Sequence, residues 1–310
     1  MNKMLVKLAF ALVLMGVWSL GTAGRPLPTG RFCNAATPGN GLPANMCFQF
    51  NIAYGGDPLQ KLDVYMPSFK VQGAPVILMV HGGEWTHGDK YDNAVVWNKV
   101  QYWTRTGVIF VSVNYPLVPK VNPLQEAMSV AQSLAYAQLH ASEWGGDPKK
   151  FILMGFSAGG HLVSLLAAEP SLATSLGAQP WLGTVALDSA AYDIPDVMAN
   201  PNHPSLFDVA FGTDTGLWNA ASPEVQLDAR IAPFLAVCST QEAGSCPRAQ
   251  EFVQLAKSYG TSATILQQNL THDQIDANLG LSSSYTTQVN TFMGALYRGS
   301  LTAKKPKARR

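Results

Sequence analysis

Short, uninterrupted apolar runs alternate with longer stretches of helical spacing along most of this chain. That alternation predicts a mostly parallel sheet covered by helices on both faces. Pro75-Val-Ile-Leu-Met-Val80 and Val108-Ile-Phe-Val-Ser-Val113 are strand-like runs, with helical spacing over Val95–Thr106 between them. Phe48–Tyr54 and Lys61–Met66 differ: they alternate apolar and polar residues on either side of Gly55-Gly-Asp-Pro58, which is a hairpin pattern. The rhythm then continues with a helix over Leu124–Glu143, a strand over Phe151–Met154, a helix over Ala158–Glu169 and a strand over Thr184–Leu187. Further on, strands over Phe234–Val237 and Ala263–Leu266 flank a helix over Arg248–Tyr259, and a helix over Ser282–Arg298 closes the pattern. Residues 192–231 interrupt it with prolines and glycines, two possible short helices and no clear strand. This stretch reads as an insertion or cap over the carboxyl ends of the strands, where it could shape a pocket.

Composition narrows the picture. At 310 residues, 47% hydrophobic and only 13% charged, the chain has material for one large core. Lys+Arg at 21 against Asp+Glu at 20 leaves a net charge of +1, so no global field would draw it to nucleic acid or to an anionic membrane. Lys3 and Lys7, the apolar Leu8–Leu20 and the small residues to Ala23 have the three parts of a secretory signal, predicted over residues 1–23. Its apolar part is shorter than the roughly 20 residues a membrane span needs, so no stable span is expected after cleavage. Export would make the protein secreted or periplasmic, in an oxidising space where its four cysteines can pair. Locality favours Cys33 with Cys47 and Cys238 with Cys246 among the three possible connectivities. Residues 24–47 read as an irregular lead-in, 48–300 as the folded domain and 301–310 as a basic, disordered tail.

The chemistry should lie where ligands of open α/β sheets bind, beyond the carboxyl ends of the strands. Gly155-Phe-Ser-Ala-Gly159 follows the Phe151–Met154 run and precedes a helix, the form of a nucleophile elbow with Ser157 at its apex. Strand and helix pass so closely at such a turn that Gly155 and Gly159 can carry almost no side chain. A serine hydroxyl attacks only when a base removes its proton, and the base needs an acid to hold its tautomer. Of six histidines, His272 alone sits in a loop after the last predicted strand. His81 lies in a glycine turn that suits a structural hydrogen bond, and His161 lies one helical turn beyond the serine. Glu242 follows the preceding strand and gives the order serine, acid, histidine, with Asp214 and Asp188 as competitors. Backbone N–H groups of Gly83, Glu84 and Ala158 could form an oxyanion hole. No histidine or cysteine spacing suggests a metal site, and no cofactor is implied.

Gln60-Lys-Leu-Asp-Val-Tyr-Met-Pro67, His81-Gly-Gly-Glu-Trp85, Gly88-Asp-Lys90, Asn114-Tyr115, Trp144-Gly-Gly-Asp-Pro148, Gly155–His161 and Ser222-Pro223 together resemble secreted α/β-hydrolases. The nearest group comprises acetyl esterases, bacterial feruloyl esterases and aryl formamidases, relatives of the hormone-sensitive-lipase type. The resemblance runs from about Phe48 to Arg298. It implies an α/β-hydrolase fold, Ser157 as nucleophile, His272 as base and the amides of Gly83, Glu84 and Ala158 as oxyanion hole. The implied activity is hydrolysis of small or polymer-linked esters, with formamide hydrolysis and a non-catalytic binding module as alternatives. The chain departs from the group where an aspartate is usual, showing Ser239-Thr-Gln-Glu242 instead, and has Glu84 where many relatives have a third glycine. Its oligomeric state is not legible.

Overall fold

The computed structural model of the chain describes residues 32–34 and 46–302. The expected signal segment, the tail beyond Thr302 and the side chain of Cys33 lie outside the described residues. The strands are β1 (Phe32–Asn34), β2 (Met46–Ala53), β3 (Lys61–Pro67), β4 (Ala74–Val80), β5 (Ile109–Val113), β6 (Gly146–Phe156), β7 (Gly183–Leu187), β8 (Phe234–Ser239) and β9 (Ala263–Gln268). The helices before β7 are α1 (Asn93–Arg105), α2 (Pro123–His140), α3 (Ala158–Ala168) and α4 (Ser171–Thr174). Between β7 and β8 lie α5 (Ile194–Ala199), α6 (Leu206–Phe211), α7 (Thr215–Ala220) and α8 (Pro223–Gln226). They are followed by α9 (Ser245–Ser258), α10 (His272–Ala277) and α11 (Ser284–Thr302).

These strands make one sheet in the order β1-β2-β3-β5-β4-β6-β7-β8-β9. Pairing is antiparallel from β1 through β3 to β5 and parallel from there to β9. The apolar runs are continuous because both faces are covered. Val76, Leu78 and Val80 of β4 pack with Val130 and Leu134 of α2, while Ile77 and Met79 pack with Val100 and Trp103 of α1 and Met293 of α11. An Asn122–Gln125 capping box starts α2, with Pro123 in its first turn.

The sheet begins earlier than the pattern indicated. β1 lies inside the expected irregular segment, and β2 starts at Met46 with Cys47 opposite Cys33 in the register. The closing helix α11 runs to Thr302, two residues into the expected tail. The insertion contains four short helices rather than two, and Ser222 ties its ends together. The Ser222 hydroxyl donates to Tyr192 O at 3.0 Å and accepts from Ile194 N at 3.1 Å.

A buried ion pair fixes α10, which carries His272. Lys99 Nζ of α1 meets Asp276 Oδ1 at 2.7 Å and also donates to the carbonyls of Asp276 and Ala94. Burial pulls the lysine pKa down and the aspartate pKa up, and each partner opposes the other's shift. Removing one member of such a pair strands a charge in the interior, at a typical cost of about 3–5 kcal/mol. Lys99→Met is therefore expected to lower unfolding stability by about that amount, read as a lower urea midpoint at unchanged slope.

Candidate active site

The elbow has the geometry its glycines require. Ser157 sits at φ 52°, ψ −116°, a conformation disfavoured for a residue with a side chain, between the end of β6 and the start of α3. A Cβ on Gly155 would lie 2.2 Å from Gly159 O, and one on Gly159 would lie 2.3 Å from Val80 O. Neither position can accept even alanine without moving backbone. The Ser157 N–H is anchored on Leu187 O of the neighbouring β7 at 2.8 Å.

His272 meets the serine. Its Nε2 lies 2.9 Å from Ser157 Oγ and its Nδ1 lies 2.7 Å from Asp188 Oδ2. A carboxylate can only accept, so Nδ1–H donates to Asp188 and the Nε2 lone pair faces the serine hydroxyl. Phe156 backs the imidazole at 4.6 Å between ring centres.

The acid behind His272 is Asp188, which corrects the expectation of Glu242. Glu242 is exposed at the tip of the loop after β8 and reaches the imidazole only through its field. Asp214, the other competitor, caps α7 by accepting from Gly216 N and Leu217 N. Asp188 is buried and itself at φ 50°. Its N–H bonds Val237 O of β8 at 2.8 Å, and its Oδ1 accepts from Ser239 N at 2.6 Å and from the Ser245 hydroxyl. The positional clue was present, because Asp188 directly follows the apolar Thr184–Leu187 run. Chain order could not choose, since all three acids lie between Ser157 and His272.

Burial opposes protonation of His272. The hydrogen bond and charge of Asp188, with smaller contributions from Asp273 and Glu242, outweigh it and hold the pKa above the ordinary histidine value.

The glycine turn after β4 lies across from the elbow. Gly83 is at φ 118°, and a Cβ there would meet His87 O at 2.0 Å, so the turn depends on glycine. Glu84 and Trp85 follow at φ 53° and 61°. The amides of Gly83, Glu84 and Ala158 have no acceptor among the described residues, which leaves three N–H groups beside the serine. His81 is structural: its Nδ1–H donates to Gly82 O at 2.6 Å and its ring stacks on Tyr115 at 4.5 Å.

His161 has a larger structural part than its sequence position suggests. The Trp85 indole donates to His161 Nδ1 at 3.1 Å, so Nε2 carries the proton and donates to Ala221 O at 2.7 Å. Burial holds its pKa down at about 4, which keeps this one tautomer near neutral pH. Trp85 also packs edge-on against Phe211 of α6 at 5.0 Å. The buried imidazole thus links the glycine turn, the elbow helix and the insertion. Its hydrogen-bond partners lie 76 and 60 residues away, beyond the reach of local pattern.

Ser157 and His272 open onto a cleft of about 240 Å³, bordered by Gly83, Glu84, Asp92, Ala94 and Asp273. Among the described residues no lysine or arginine lines it.

The BD-FAE family model matches residues 62–243, well over half of the 310. The chain belongs to the BD-FAE family. That match includes Ser157, Asp188 and the glycine turn, and ends before His272. The probable carboxylic ester hydrolase LipM of Mycobacterium tuberculosis is 37% identical over 112 residues, covering 36% of this chain and 26% of LipM. Esterase LipQ of the same organism is 26% identical over 274 residues, covering 82% of this chain and 64% of LipQ. The chain therefore spans about a quarter of the length of LipM and just under two thirds of LipQ. Among solved structures, esterase B from Lactobacillus rhamnosis superposes with a TM-score of 0.69 at 18% identity, covering 86% of this chain and 90% of that one. A truncated carbohydrate esterase from gut microbiota gives 0.68 at 16% identity, covering 81% and 96%. At these identities the structural likeness speaks for architecture, and the architecture of this BD-FAE family member is the α/β-hydrolase fold.

Proposed function

We propose that this protein is a serine hydrolase that cleaves carboxylic esters through an acyl-enzyme intermediate. The observation that carries the reading is the chain of hydrogen bonds Ser157 Oγ, His272 and Asp188, at a cleft shared with the glycine turn, where the amides of Gly83, Glu84 and Ala158 have no acceptor among the described residues. Ser157 Oγ attacks the ester carbonyl as its proton passes to His272 Nε2. Negative charge on the former carbonyl oxygen is met by the N–H groups of Gly83, Glu84 and Ala158. His272 then gives its proton to the departing alkoxide, which leaves as the alcohol. In the second half, His272 takes a proton from water, hydroxide character attacks the acyl-serine, and Ser157 departs with that proton restored. The names of LipM and LipQ, and esterase B inhibited by a tributyrin phosphonate, accord with this reading.

The cleft favours short, uncharged substrates. Its volume is below the roughly 300 Å³ at which drug-sized ligand pockets begin, and Glu84, Asp92 and Asp273 line it with no lysine or arginine among the described lining residues. An exported setting, secreted or periplasmic, agrees with the predicted leader and with the pairing of Cys238 and Cys246, whose Cα atoms are 5.1 Å apart. A panel of acetyl, butyryl, longer acyl, cinnamoyl and succinyl esters, with an aryl formamide alongside, tests the reading. Highest kcat/KM is expected on short neutral esters. Preference for the formamide, or turnover of none of the panel, would contradict it.

The pH profile follows from the base. His272 must be neutral to accept a proton and its pKa is raised, so kcat/KM is expected to climb with pH through a midpoint above the ordinary value of about 6.5. Glu242→Gln removes one of the charges that raise it. The midpoint should move down while the plateau stays within about threefold.

A further inference from the structure

The two donors that hold Asp188 Oδ1 come from a single loop, and each is the neighbour of a cysteine. Ser239, next to Cys238, supplies its N–H at 2.6 Å; Ser245, next to Cys246, supplies its hydroxyl. Cys238 and Cys246 are bonded to each other across eight positions of sequence, so the bridge closes the loop at the residues flanking both donors. Ser239 has a second task, since its hydroxyl donates to Leu270 O at 2.5 Å, in the segment that delivers His272. Both serines are buried, at 0% and 4% exposure, whereas Thr240 to Ala243 at the tip are exposed. Packing therefore does little to hold the two limbs of the loop together at the tip.

A carboxylate left to itself rotates broadly about its last torsion. Two donors on one oxygen stop that rotation and leave the other oxygen a single direction, here toward His272 Nδ1. Ser239 ends β8 and Ser245 begins α9; the two elements pack together further along, Phe234 against Phe252, and the Cys238–Cys246 bridge ties them covalently at the end that carries the two serines. We propose that the Cys238–Cys246 loop is the cradle of the catalytic acid: Ser239 and Ser245 are positioning residues that aim Asp188 at His272, and the bridge keeps them at the spacing this needs. The inference rests on the serine-hydrolase reading of the site and adds what orients its acid.

Ser245→Ala, Ser245→Thr and Cys238→Ala/Cys246→Ala, each checked for folding by circular dichroism, provide the test. Two readouts are taken: kcat and KM on a short neutral ester, and the ring-nitrogen NMR titration of His272 in the free protein. Ser245→Ala is expected to lower kcat roughly tenfold to a hundredfold, the usual weight of a hydrogen bond to a charged group, with KM within about twofold. Ser245→Thr keeps the hydroxyl and should recover most of the loss. The open-loop variant should fall in the same direction, and its His272 pKa should drop toward the ordinary value as Asp188 turns away. If that variant fails to fold, wild type is opened with dithiothreitol. Two electrons and two protons pass to the bridge to give two thiols, and the reagent closes to its cyclic disulfide. Cys47 is also disulfide-bonded, so Cys47→Ala is run beside it and should leave the titration unchanged. A folded, open-loop protein with wild-type kcat and wild-type His272 titration would overturn the proposal. Should wild type hydrolyse no ester, the functional reading fails while the titration still decides the cradle: a fall supports it and an unchanged curve overturns it.

Discussion

Ser157→Ala should lower kcat on a short neutral ester by on the order of 10⁶-fold, with KM changed far less. The size follows from what is lost. Without Oγ there is no covalent intermediate, and His272 has nothing to deprotonate but water at a distance its Nε2 was not placed to serve. What survives is the binding of the tetrahedral oxygen by the Gly83, Glu84 and Ala158 amides, which in comparable sites sustains roughly 10³- to 10⁴-fold acceleration over water. Because Ser157 and His272 act as one unit, the double variant Ser157→Ala/His272→Ala should be scarcely slower than either single one. Steady-state kinetics on the three proteins checks this, and additive losses would show that the two residues do not share a step.

The second large effect concerns Asp188. Asp188→Asn should cost about 10⁴-fold in kcat, because an amide can present its NH₂ to Nδ1 and turn the imidazole to the tautomer with its proton on Nε2, facing the serine. That tautomer cannot accept the proton of Ser157. Ser239 and Ser245 enforce that orientation, since both donate to the Oδ1 position, where they would hold the amide oxygen and leave the NH₂ to face Nδ1. Glu242→Gln, by contrast, alters a solvent-exposed charge with no hydrogen bond to the histidine. Its effect should stay within a few-fold and weaken further as salt is added.

The sheet was legible because burial on both faces forces continuous apolar runs in β4 through β8, while β9, half-exposed at the sheet edge, shows its run over Ala263–Leu266. β1 was not legible, being three residues long and recognisable only by its pairing with β2. α10 was missed for another reason: it is six residues long and its sequence is mostly polar. The serine and the histidine could be read because an elbow needs glycine at fixed positions and because His272 follows the last strand. The acid could not. β7 and β8 are neighbours, and the Asp188 N–H bonds β8 directly, so either strand end can deliver a carboxylate to the same imidazole. The choice is made by Ser239 and Ser245, 51 and 57 residues from Asp188, and such contacts exist only once the chain has folded. The resemblance to hydrolases pointed to Ser157 and His272 and marked the loop after β8 as a departure; the choice of Glu242 came from chain order, and the structure leaves that carboxylate in solvent.

One measurement tests the triad without knowledge of the natural substrate: the rate at which a fluorophosphonate attaches to wild type, Asp188→Asn and Glu242→Gln, with the adduct mapped by peptide mass. The account predicts a single adduct on Ser157, near-equal rates for wild type and Glu242→Gln, and a rate slower by several orders of magnitude for Asp188→Asn. An adduct elsewhere, or a rate that collapses in Glu242→Gln and persists in Asp188→Asn, would contradict it.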